Sequence, residues 1–344
     1  MIFSQVIEQL LDKKNLSQAQ AFELMGEILA AKVLPMQVAA LLTALRVKGE
    51  SVDEMVGFAQ SMRAAMVSVK TPWPMVADTC GTGGDGKNTF NISTAAAFVV
   101  AGAGIPVAKH GNRSVSSLSG SADVLEYCGV KLAMPLQTAK HCLADLGIVF
   151  LFAPLYHPAM KNVAPIRKEM GIRTVFNLLG PLCNPAGARA QVIGVSKKKF
   201  VPLIAAAFAR LNEGALSGAV VLNDGGYDEW VLGRNCVASE IFEGQVRAKK
   251  LPANALGTLA KIRPEGGKSL KENAALLRSV LTEKTHPLRS VVLANAALSI
   301  YVFKKTSLQK AVLKDCLSSA TESIDSGAAY NKLLGLIKYS QKSR

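Results

Sequence analysis

Residues 78–94 read DTCGTGGDGKNTFNIST, a run that sets glycines among acids, hydroxyls and an amide without an apolar core pattern. Glycines allow positive φ angles and bring successive backbone N–H groups against an anion, which a chain with Cβ atoms approaches less closely. The alanine-rich run after Ser93 is typical of a helix start, where N–H groups and the helix dipole favour the same anion. The stretch therefore predicts a phosphate-binding loop between a strand and a helix.

Two familiar phosphate motifs overlap these glycines, and each lacks a required residue. Gly81, Gly83 and Gly86 fit the dinucleotide fingerprint, yet about 20 residues on, where that fingerprint needs an acid, the chain reads AGAGIP. The same glycines with Lys87 fit a P-loop, but Asn88 stands where a serine or threonine must bind magnesium. An ordinary glycine-rich turn is the plain alternative, and it leaves the many polar residues of the stretch unexplained.

A second polar cluster, KHGNRSVSSLSGSADVLE at residues 109–126, follows one short hydrophobic strand. Two cations, Lys109 and Arg113, stand with Asn112 and several serines where a loop between a strand and a helix is expected. So many donors with so few acceptors suit a substrate that carries several phosphates. The same segment then opens a helix with good capping residues.

A third motif, HPAMKNVAPIRKEMGIRTVFNLLGPLCNP, occupies residues 157–185. Together with the two polar clusters it resembles the anthranilate phosphoribosyltransferase family, whose motifs come in this order and near this spacing. Weaker patterns at both ends extend the resemblance over essentially the whole chain. The resemblance implies transfer of 5-phosphoribosyl from phosphoribosyl pyrophosphate to the amino group of anthranilate, with release of pyrophosphate, in tryptophan biosynthesis.

The resemblance also implies which residues bind each substrate. The residues expected to bind the phosphoribosyl donor are Gly81, Gly83, Gly84, Asp85, Thr89, Asn91, Ile92, Ser93, Thr94, Lys109, His110, Gly111, Asn112, Arg113, Ser114, Val115, Ser116, Ser117 and Ser121. Those expected to bind anthranilate are Gly81, Asn112, His157 and Arg167. For Arg167, a planar guanidinium suits the substrate carboxylate. No residue is a convincing covalent nucleophile, so catalysis is expected to depend on positioning and on electrostatic stabilisation of an oxocarbenium-like state.

An acidic pair, Asp228 and Glu229, follows the apolar strand at 219–222. A type I phosphoribosyltransferase would have an acid pair directly after such a strand and a TGGT loop, whereas this chain has one acid there and no such loop. By resemblance, the pair and Ser93 are expected to hold Mg²⁺, which prefers hard oxygen ligands and phosphates. The family usually has His-Gly before the pair and a leucine within it, where this chain has Leu222-Asn223 and Tyr227, so the local loop departs from the family pattern.

Two rival functions belong to other classes. A nucleoside phosphorylase of the related fold shares a lysine-and-serine phosphate site but normally lacks GTGGD and the acidic pair. A nucleic-acid-binding relative would suit the formal net charge of +15, from 40 Lys and Arg against 25 Asp and Glu. The lysines, however, are scattered, and a cleft for a pyrophosphate, a phosphate and a carboxylate is itself a sufficient reason for positive charge.

The rest of the chain predicts an α/β fold in two domains. Residues 1–70 read as helices only, with capping boxes at Ser17 and Ser51 and with Pro35 as a helix start. From Val76 onward short apolar strands alternate with helices, which indicates a mostly parallel sheet covered by helices. The predicted division is a small all-helical domain at 1–70, to which a segment near 165–181 returns by resemblance, and an α/β donor-binding domain at 71–344.

Composition and the amino terminus predict the cellular setting. With 49% hydrophobic residues the chain can bury a large core, and no apolar run reaches the roughly 18 residues of a membrane span. The amino terminus predicts an amphipathic helix rather than a signal peptide, and the six cysteines have no metal-binding spacing, so a cytoplasmic protein with reduced thiols is expected. By resemblance the protein is a homodimer through its helical domain, where Leu10, Leu11, Phe22 and Leu42 are candidate contacts or, equally, core.

Overall fold

The computed structural model describes residues 3–114, 119–233, 236–257, 259 and 262–342. In this part of the chain the α-helices are α1 (Phe3–Leu11), α2 (Gln18–Leu29), α3 (Pro35–Lys48), α4 (Val52–Ala64), α5 (Ile92–Gly102), α6 (Ser121–Tyr127), α7 (Leu136–Leu146), α8 (Ala153–Tyr156), α9 (Ala164–Met170), α10 (Phe176–Leu179), α11 (Phe200–Leu211), α12 (Leu270–Thr282), α13 (Arg289–Thr306), α14 (Leu313–Asp325) and α15 (Ala328–Ser340). The strands are β1 (Ala77–Thr79), β2 (Val107–Gly111), β3 (Ile148–Phe152), β4 (Ala190–Gly194), β5 (Gly218–Asp224), β6 (Cys236–Phe242) and β7 (Gln245–Leu251). Short 3₁₀ helices lie at Pro158–Asn162 and Gly180–Leu182.

Helices α1 to α4 form a bundle, and three of them begin at the predicted signals. Ser17 and Ser51 each accept a hydrogen bond from a first-turn N–H, and a side chain of that turn bonds the N–H of the cap in return. Pro35 is the first residue of α3. The buried Glu54 also pairs with Lys48 at 2.9 Å inside the bundle. Local capping chemistry thus sets the helix starts in this part of the chain.

A seven-stranded sheet with the order β3-β2-β1-β4-β5-β6-β7 forms the centre of the rest of the molecule. β1 to β5 pair in parallel, and β6 and β7 add an antiparallel hairpin at one edge. The prediction of a helical amino-terminal part and a mostly parallel sheet is confirmed. The hairpin of β6 and β7 was not predicted. Six of the seven residues of β7 are exposed, so no buried face marks that segment as a strand.

Two hydrophobic cores lie on opposite faces of the sheet. Because side chains alternate along a strand, Val220 and Leu222 of β5 enter one core, whereas Ala219 and Val221 enter the other. The first core packs against α5 and α13. The second, which we call the shared core, packs against α11 and continues into the bundle α1–α4 and into residues 163–183. The bundle and one face of the sheet therefore bury the same set of side chains.

Residues 163–183 connect the bundle to the sheet. Val163, Phe176 and Leu182 belong to the shared core. Arg63 of α4 donates from Nε to the carbonyl of Leu182 at 2.7 Å. The shared core thus spans both sides of the boundary predicted at residue 70, and that boundary stays a prediction.

All six cysteines are free, and five of them are buried. Burial raises the pKa of the Cys142 and Cys183 thiols to about 12, so they stay protonated at neutral pH. Among the described residues, no helix has both the length and the apolar character needed to cross a membrane. The cytoplasmic location stays a prediction.

Candidate functional site

The candidate site lies at the carboxyl ends of β1 and β4. From β1 the chain adds strands on one side, and from β4 it adds them on the other, so the two loops diverge and leave a crevice. Ligands bind at such a point in open α/β sheets. A cavity of about 150 Å³ occupies it. Its lining residues are Gly81, Gly83, Gly84, Asp85, Gly86, Asn88, Thr89, Phe90, Asn91, Ser93, Thr94, Ser119, Ser121, Asp228 and Glu229.

The glycine-rich loop after β1 forms one wall of the cavity. Gly83 and Gly84 have φ angles of +64° and +69°, which residues with a Cβ rarely adopt. The loop leads into α5, which begins at Ile92. The Asn91 side chain bonds to Ser119 instead of capping the helix, so the first-turn N–H groups of α5 are left without a side-chain cap. Such N–H groups suit an anion.

Three carboxylates line the cavity beside this loop. Asp85, Asp228 and Glu229 each place one oxygen within 4.8 Å of the other two. Burial, with the charge of the neighbouring acids, raises the pKa of Asp228 to about 6 and raises that of Glu229 well above its ordinary value. Asp85 Oδ2 and Glu229 Oε2 are buried without a hydrogen-bond partner among the described residues. A set of hard oxygens in this state fits a divalent cation such as Mg²⁺.

Close backbone packing holds the acidic loop beside the glycine-rich loop. A Cβ at Gly194 would lie 1.4 Å from the Asp228 carbonyl oxygen, and one at Gly81 would lie 2.9 Å from Asp228 Oδ2. The N–H of Gly83 donates to the same Oδ2 at 2.8 Å. Glycine at positions 81 and 194 is therefore a steric requirement of the place that Asp228 takes.

Buried polar side chains hold the acidic loop from behind. Asn295 of α13 accepts from the Trp230 N–H at 3.1 Å and donates to the Trp230 carbonyl at 2.9 Å. Asp224, at the end of β5, accepts from the N–H groups of Val231 at 3.0 Å and Gly233 at 2.8 Å. Since Trp230 directly follows Glu229, these contacts fix the chain at the point where it presents the acids.

Two residues that depart from the family pattern have defined contacts here. Asn223 donates to the carbonyl of Val195 at 2.7 Å and so ties the loop to the end of β4. Lys87 Nζ lies 5.2 Å from the centroid of the Tyr227 ring, a cation–π contact between the glycine-rich loop and the acidic loop. Each residue thus ties the acidic loop to a neighbouring segment.

Lys109 lies beneath the glycine-rich loop and outside the cavity lining. Its Nζ donates to the Thr79 carbonyl at 2.8 Å, and the residue is 4% exposed. The neighbouring Asp78 is fully buried and accepts from Asn184 Nδ2 at 2.8 Å and from the His110 N–H at 3.3 Å. Burial raises the pKa of Asp78 to about 6, against the lowering effect of the Lys109 charge. Lys109 supports the floor of the site, and its contact with the donor stays a prediction.

The predicted anthranilate residues come from separate segments. His110 is the next-to-last residue of β2 and His157 follows α8, and their ring centroids are 5.1 Å apart. Burial lowers the pKa of His110 to about 3 and also lowers that of His157, so both rings are neutral at pH 7. His110 Nε2 and His157 Nδ1 have no partner among the described residues. Two neutral rings, each with one nitrogen that has no partner among the described residues, therefore lie next to each other.

Arg167 lies on α9, in the segment that reaches the bundle. Its guanidinium carbon is 5.4 Å from the centroid of the Phe176 ring. Burial lowers the pKa of Arg167, and no ion pair with a described carboxylate satisfies its charge. An unpaired, partly buried guanidinium is a suitable partner for an anionic ligand.

The residues predicted to bind the phosphoribosyl donor fall into two groups, those that line the cavity and those that do not. Those that line the cavity are Gly81, Gly83, Gly84, Asp85, Thr89, Asn91, Ser93, Thr94 and Ser121. Those outside its lining are Ile92, Lys109, His110, Gly111, Asn112, Arg113 and Ser114. Arg113 pairs with Asp123 at 2.9 Å and with Glu126 at 2.8 Å. Val115, Ser116 and Ser117 lie outside the described residues.

Sequence reasoning missed two features of the site. From the sequence, Asp85 is predicted only as a residue that binds the phosphoribosyl donor. In the structure its carboxylate lies beside those of Asp228 and Glu229. Arg173, which donates to the carbonyls of Gly83 and Gly84, is not predicted at all. In the sequence, only its position in the third motif, six residues after Arg167, connected Arg173 with the site.

Comparisons with known proteins agree with this geometry. A family model for the α/β domain of a glycosyl transferase family matches residues 74–330, and the model for its helical bundle domain matches residues 4–66. The anthranilate phosphoribosyltransferase of Moorella thermoacetica is 45% identical over 334 residues, which cover 97% of each chain. The crystal structure of the Thermus thermophilus enzyme is similar with a TM-score of 0.84 and 38% identity, over 98% of this chain and 99% of that one.

A complexed structure is also similar. The anthranilate phosphoribosyltransferase of Saccharomyces cerevisiae, in complex with phosphoribosyl pyrophosphate and Mg, matches with a TM-score of 0.85 and 28% identity, over 98% of this chain and 97% of that one. Likeness in sequence and in structure thus extends over nearly the full length of the chain. On these grounds the chain belongs to the anthranilate phosphoribosyltransferase family.

Proposed function

We propose that the protein transfers the 5-phosphoribosyl group of phosphoribosyl pyrophosphate to the amino group of anthranilate, releasing pyrophosphate, as a step of tryptophan biosynthesis. The observation that carries the proposal is the crevice at β1 and β4, where a glycine-rich loop and an uncapped helix start adjoin three carboxylates. A ligand that suits both features carries phosphates together with a divalent cation. Phosphoribosyl pyrophosphate with magnesium is such a ligand.

The donor is assigned to the cavity itself. Gly83 and Gly84 give the loop the left-handed backbone shape that is typical of anion-binding loops, while the Gly83 N–H itself donates to Asp228. Ser93 and Thr94, in the first turn of α5, add hydroxyls and N–H groups to the same wall. Ser121, at the start of α6, faces them from the second polar segment. The pyrophosphate of the substrate is assigned to this set of N–H and hydroxyl groups.

Magnesium is assigned to the acidic cluster. Asp228 and Glu229 would hold it together with Asp85, since the two partnerless carboxylate oxygens belong to this trio. When bound, the cation stabilises the charge of the departing pyrophosphate. The Gly83 N–H keeps Asp228 turned toward the glycine-rich loop. Ser93 lines the same cavity and remains a proposed additional ligand.

Anthranilate is assigned to the side of the cleft that the third motif provides. The unpaired guanidinium of Arg167 would take its carboxylate. His110 and His157 offer neutral rings and free ring nitrogens to the aromatic amine. Asn112 directly follows β2, two residues after His110, and Gly81 lines the cavity next to Asp228. These groups orient the nitrogen toward the ribose carbon that loses pyrophosphate.

The reaction then needs no covalent bond to the protein. The amine nitrogen forms a bond to the ribose C1 carbon as the bond from that carbon to pyrophosphate breaks, and positive charge develops on the ribose ring. The nitrogen then releases one proton to water or to the departing pyrophosphate. The protein contributes orientation of the amine and stabilisation of the leaving group by fixed donors. Both contributions come from groups that lie in place before the substrates bind, which reduces the reorganisation that catalysis requires.

Pyrophosphate release from phosphoribosyl pyrophosphate, measured with and without anthranilate, tests the proposal. We expect release only when anthranilate is present. Release that does not depend on anthranilate would contradict the proposal, and turnover of a nucleoside with orthophosphate would favour the phosphorylase alternative. Tight DNA binding without any pyrophosphate release would favour a nucleic-acid-binding protein, for which only the net charge argues.

We also propose that the protein forms a homodimer through the bundle. Leu34 and Met36 at the start of α3 and Val47 near its end are 61%, 81% and 79% exposed, and such apolar side chains on the bundle are candidate contacts with a second copy. Of the candidate contacts named from sequence, Leu11 and Phe22 are exposed, whereas Leu10 and Leu42 are buried in the shared core. Sedimentation velocity tests the proposal, and a monomer at all concentrations would contradict it.

A further inference from the structure

Arg173 connects three parts of the molecule that are distant in sequence. Its guanidinium donates to the carbonyl of Gly83 at 2.7 Å and also to the carbonyl of Gly84. Its own carbonyl accepts a hydrogen bond from Arg46 of α3. The residue lies between α9 and α10, in the segment that joins the shared core. Through its side chain and its backbone carbonyl, this one residue thus links the glycine-rich loop, its own segment and the bundle.

The chain of contacts continues to the acidic cluster. The carbonyl of Gly83 accepts from Arg173, and the N–H of the same residue donates to Asp228 Oδ2 at 2.8 Å. Burial lowers the pKa of Arg173, and the charges of Asp228 and Asp85 oppose this lowering. Gly83 is therefore held from both sides, by a cation on its carbonyl and by a carboxylate on its N–H.

The fit around Gly84 shows how closely the guanidinium is packed. A Cβ at that position would lie 2.7 Å from Arg173 Nη1 and 2.9 Å from its guanidinium carbon. Gly84 is also at φ +69°, so its conformation and its neighbour both require glycine. A planar fork that spans two successive carbonyls is geometry that arginine provides and lysine does not.

We propose that Arg173 is a positioning residue that holds the glycine-rich loop in its phosphate-binding shape and couples that shape to the bundle through Arg46. Because both of its terminal nitrogens donate to loop carbonyls, Arg173 acts through the loop. By holding those carbonyls it fixes the shape of the loop, so the anion site is ordered before the ligand arrives. The inference rests on the proposed function for its effect on turnover, and on the contacts alone for its effect on the loop.

The variant Arg173→Lys tests the proposal, since it keeps the charge and removes the fork. Its matched control is Arg189→Lys, because Arg189 also donates to a backbone carbonyl, that of Pro74 at 2.6 Å, at the opposite end of the sheet. In the ligand-free protein, we expect hydrogen exchange of a peptide covering residues 81–87 to rise about tenfold in Arg173→Lys, the factor expected for one lost charged hydrogen bond. The control should exchange like the wild type.

Kinetics provide the second measurement. For Arg173→Lys we expect kcat/KM for phosphoribosyl pyrophosphate to fall by about tenfold or more, with little change in the KM for anthranilate. If kcat/KM for phosphoribosyl pyrophosphate fell while hydrogen exchange of the loop peptide stayed unchanged, Arg173 would be a direct phosphate ligand. That result would overturn the positioning role. Unchanged exchange and unchanged kinetics would overturn it as well.

A double-mutant cycle tests the link to the bundle. Arg46→Gln should loosen the same peptide, and adding it to Arg173→Lys should have little further effect, because both act through one chain of contacts. Strictly additive effects would contradict the coupling. If the wild type released no pyrophosphate, the proposed function would fail, while a faster exchange in Arg173→Lys would still support the hold of this residue on the loop.

Discussion

Lys109 supports the donor site from below, and its substitution has two expected effects. Lys109→Met removes the cation that bonds the Thr79 carbonyl and offsets the buried Asp78 charge. We expect the protein to remain folded but to lose roughly 1.5–3 kcal/mol in its free energy of unfolding, the range for a charged hydrogen bond. Binding of phosphoribosyl pyrophosphate should weaken as the loop above it shifts.

Urea unfolding and calorimetric titration with the donor measure the two effects of Lys109→Met. Lys332→Met is the matched control, because Lys332 Nζ also donates to a backbone carbonyl, that of Leu146 at 2.6 Å, away from the site. The control should lose stability without losing donor affinity. Equal donor affinity in all three proteins would remove Lys109 from the donor site.

Arg167 should discriminate between the two substrates. Arg167→Ala removes the guanidinium assigned to the anthranilate carboxylate, so the KM for anthranilate should rise about tenfold or more, and the KM for the donor should change little. Arg278→Ala is the control, because Arg278 donates to the carbonyl of Cys128 on another part of the molecule. Initial rates with each substrate varied in turn decide the matter, and equal rises in both constants would place Arg167 elsewhere.

His110 should make the free energy of unfolding depend on pH. Burial lowers the pKa of His110 in the folded protein to about 3, whereas a histidine in the unfolded chain has its ordinary pKa of about 6.5. Its contribution to stability is therefore present above pH 6.5 and is lost as pH falls toward 3, by up to about 1.4 kcal/mol per pH unit. The raised pKa of Asp78 acts in the opposite direction, since its contribution is lost as pH rises through about 6.

A difference measurement isolates the histidine. His110→Asn retains the backbone N–H that donates to Asp78. The Asp78 contribution therefore cancels when the free energy of unfolding of the variant is subtracted from that of the wild type. Urea unfolding at pH 7, 6 and 5 should show the stability difference between wild type and variant falling with pH. Parallel curves would mean that His110 takes up its proton in the folded protein as easily as in the unfolded one.

At the scale of elements, the acidic loop after β5 tests the magnesium assignment. Replacing Asp228 with Asn and Glu229 with Gln keeps the shapes and removes two charges, so magnesium affinity and leaving-group stabilisation should both fall. Activity should drop, and the remaining activity should need more magnesium. Initial rate against magnesium concentration measures both changes.

The control for this double variant removes two charges elsewhere. Glu8→Gln with Asp12→Asn changes exposed acids at α1 and leaves the site untouched. Its magnesium curve should overlay that of the wild type. If the acidic-loop variant also gave a curve that coincides with the wild type, these acids would have no part in holding the metal.

Local elements could be predicted from sequence where the signal is local. The capping residues fixed the starts of α2 to α4, and the glycines before Ser93 indicated the loop and the start of α5. The meeting of Gly83 with Asp228 joins residues 145 positions apart, and that of Arg173 with Gly84 joins residues 89 apart. No periodicity encodes such distances, because the strand order decides which loops become neighbours.

At the scale of the whole molecule, the shared core determines how the protein unfolds. Side chains of the bundle, of α11 and of one sheet face bury one another, so the bundle cannot detach without exposing apolar residues such as Ile204 and Phe208 to water. Melting of the bundle and of the sheet should therefore be cooperative. Scanning calorimetry should record one endotherm, and two separate endotherms would show that the bundle melts on its own. A substitution deep in the bundle should then lower the melting temperature of the catalytic cleft as well.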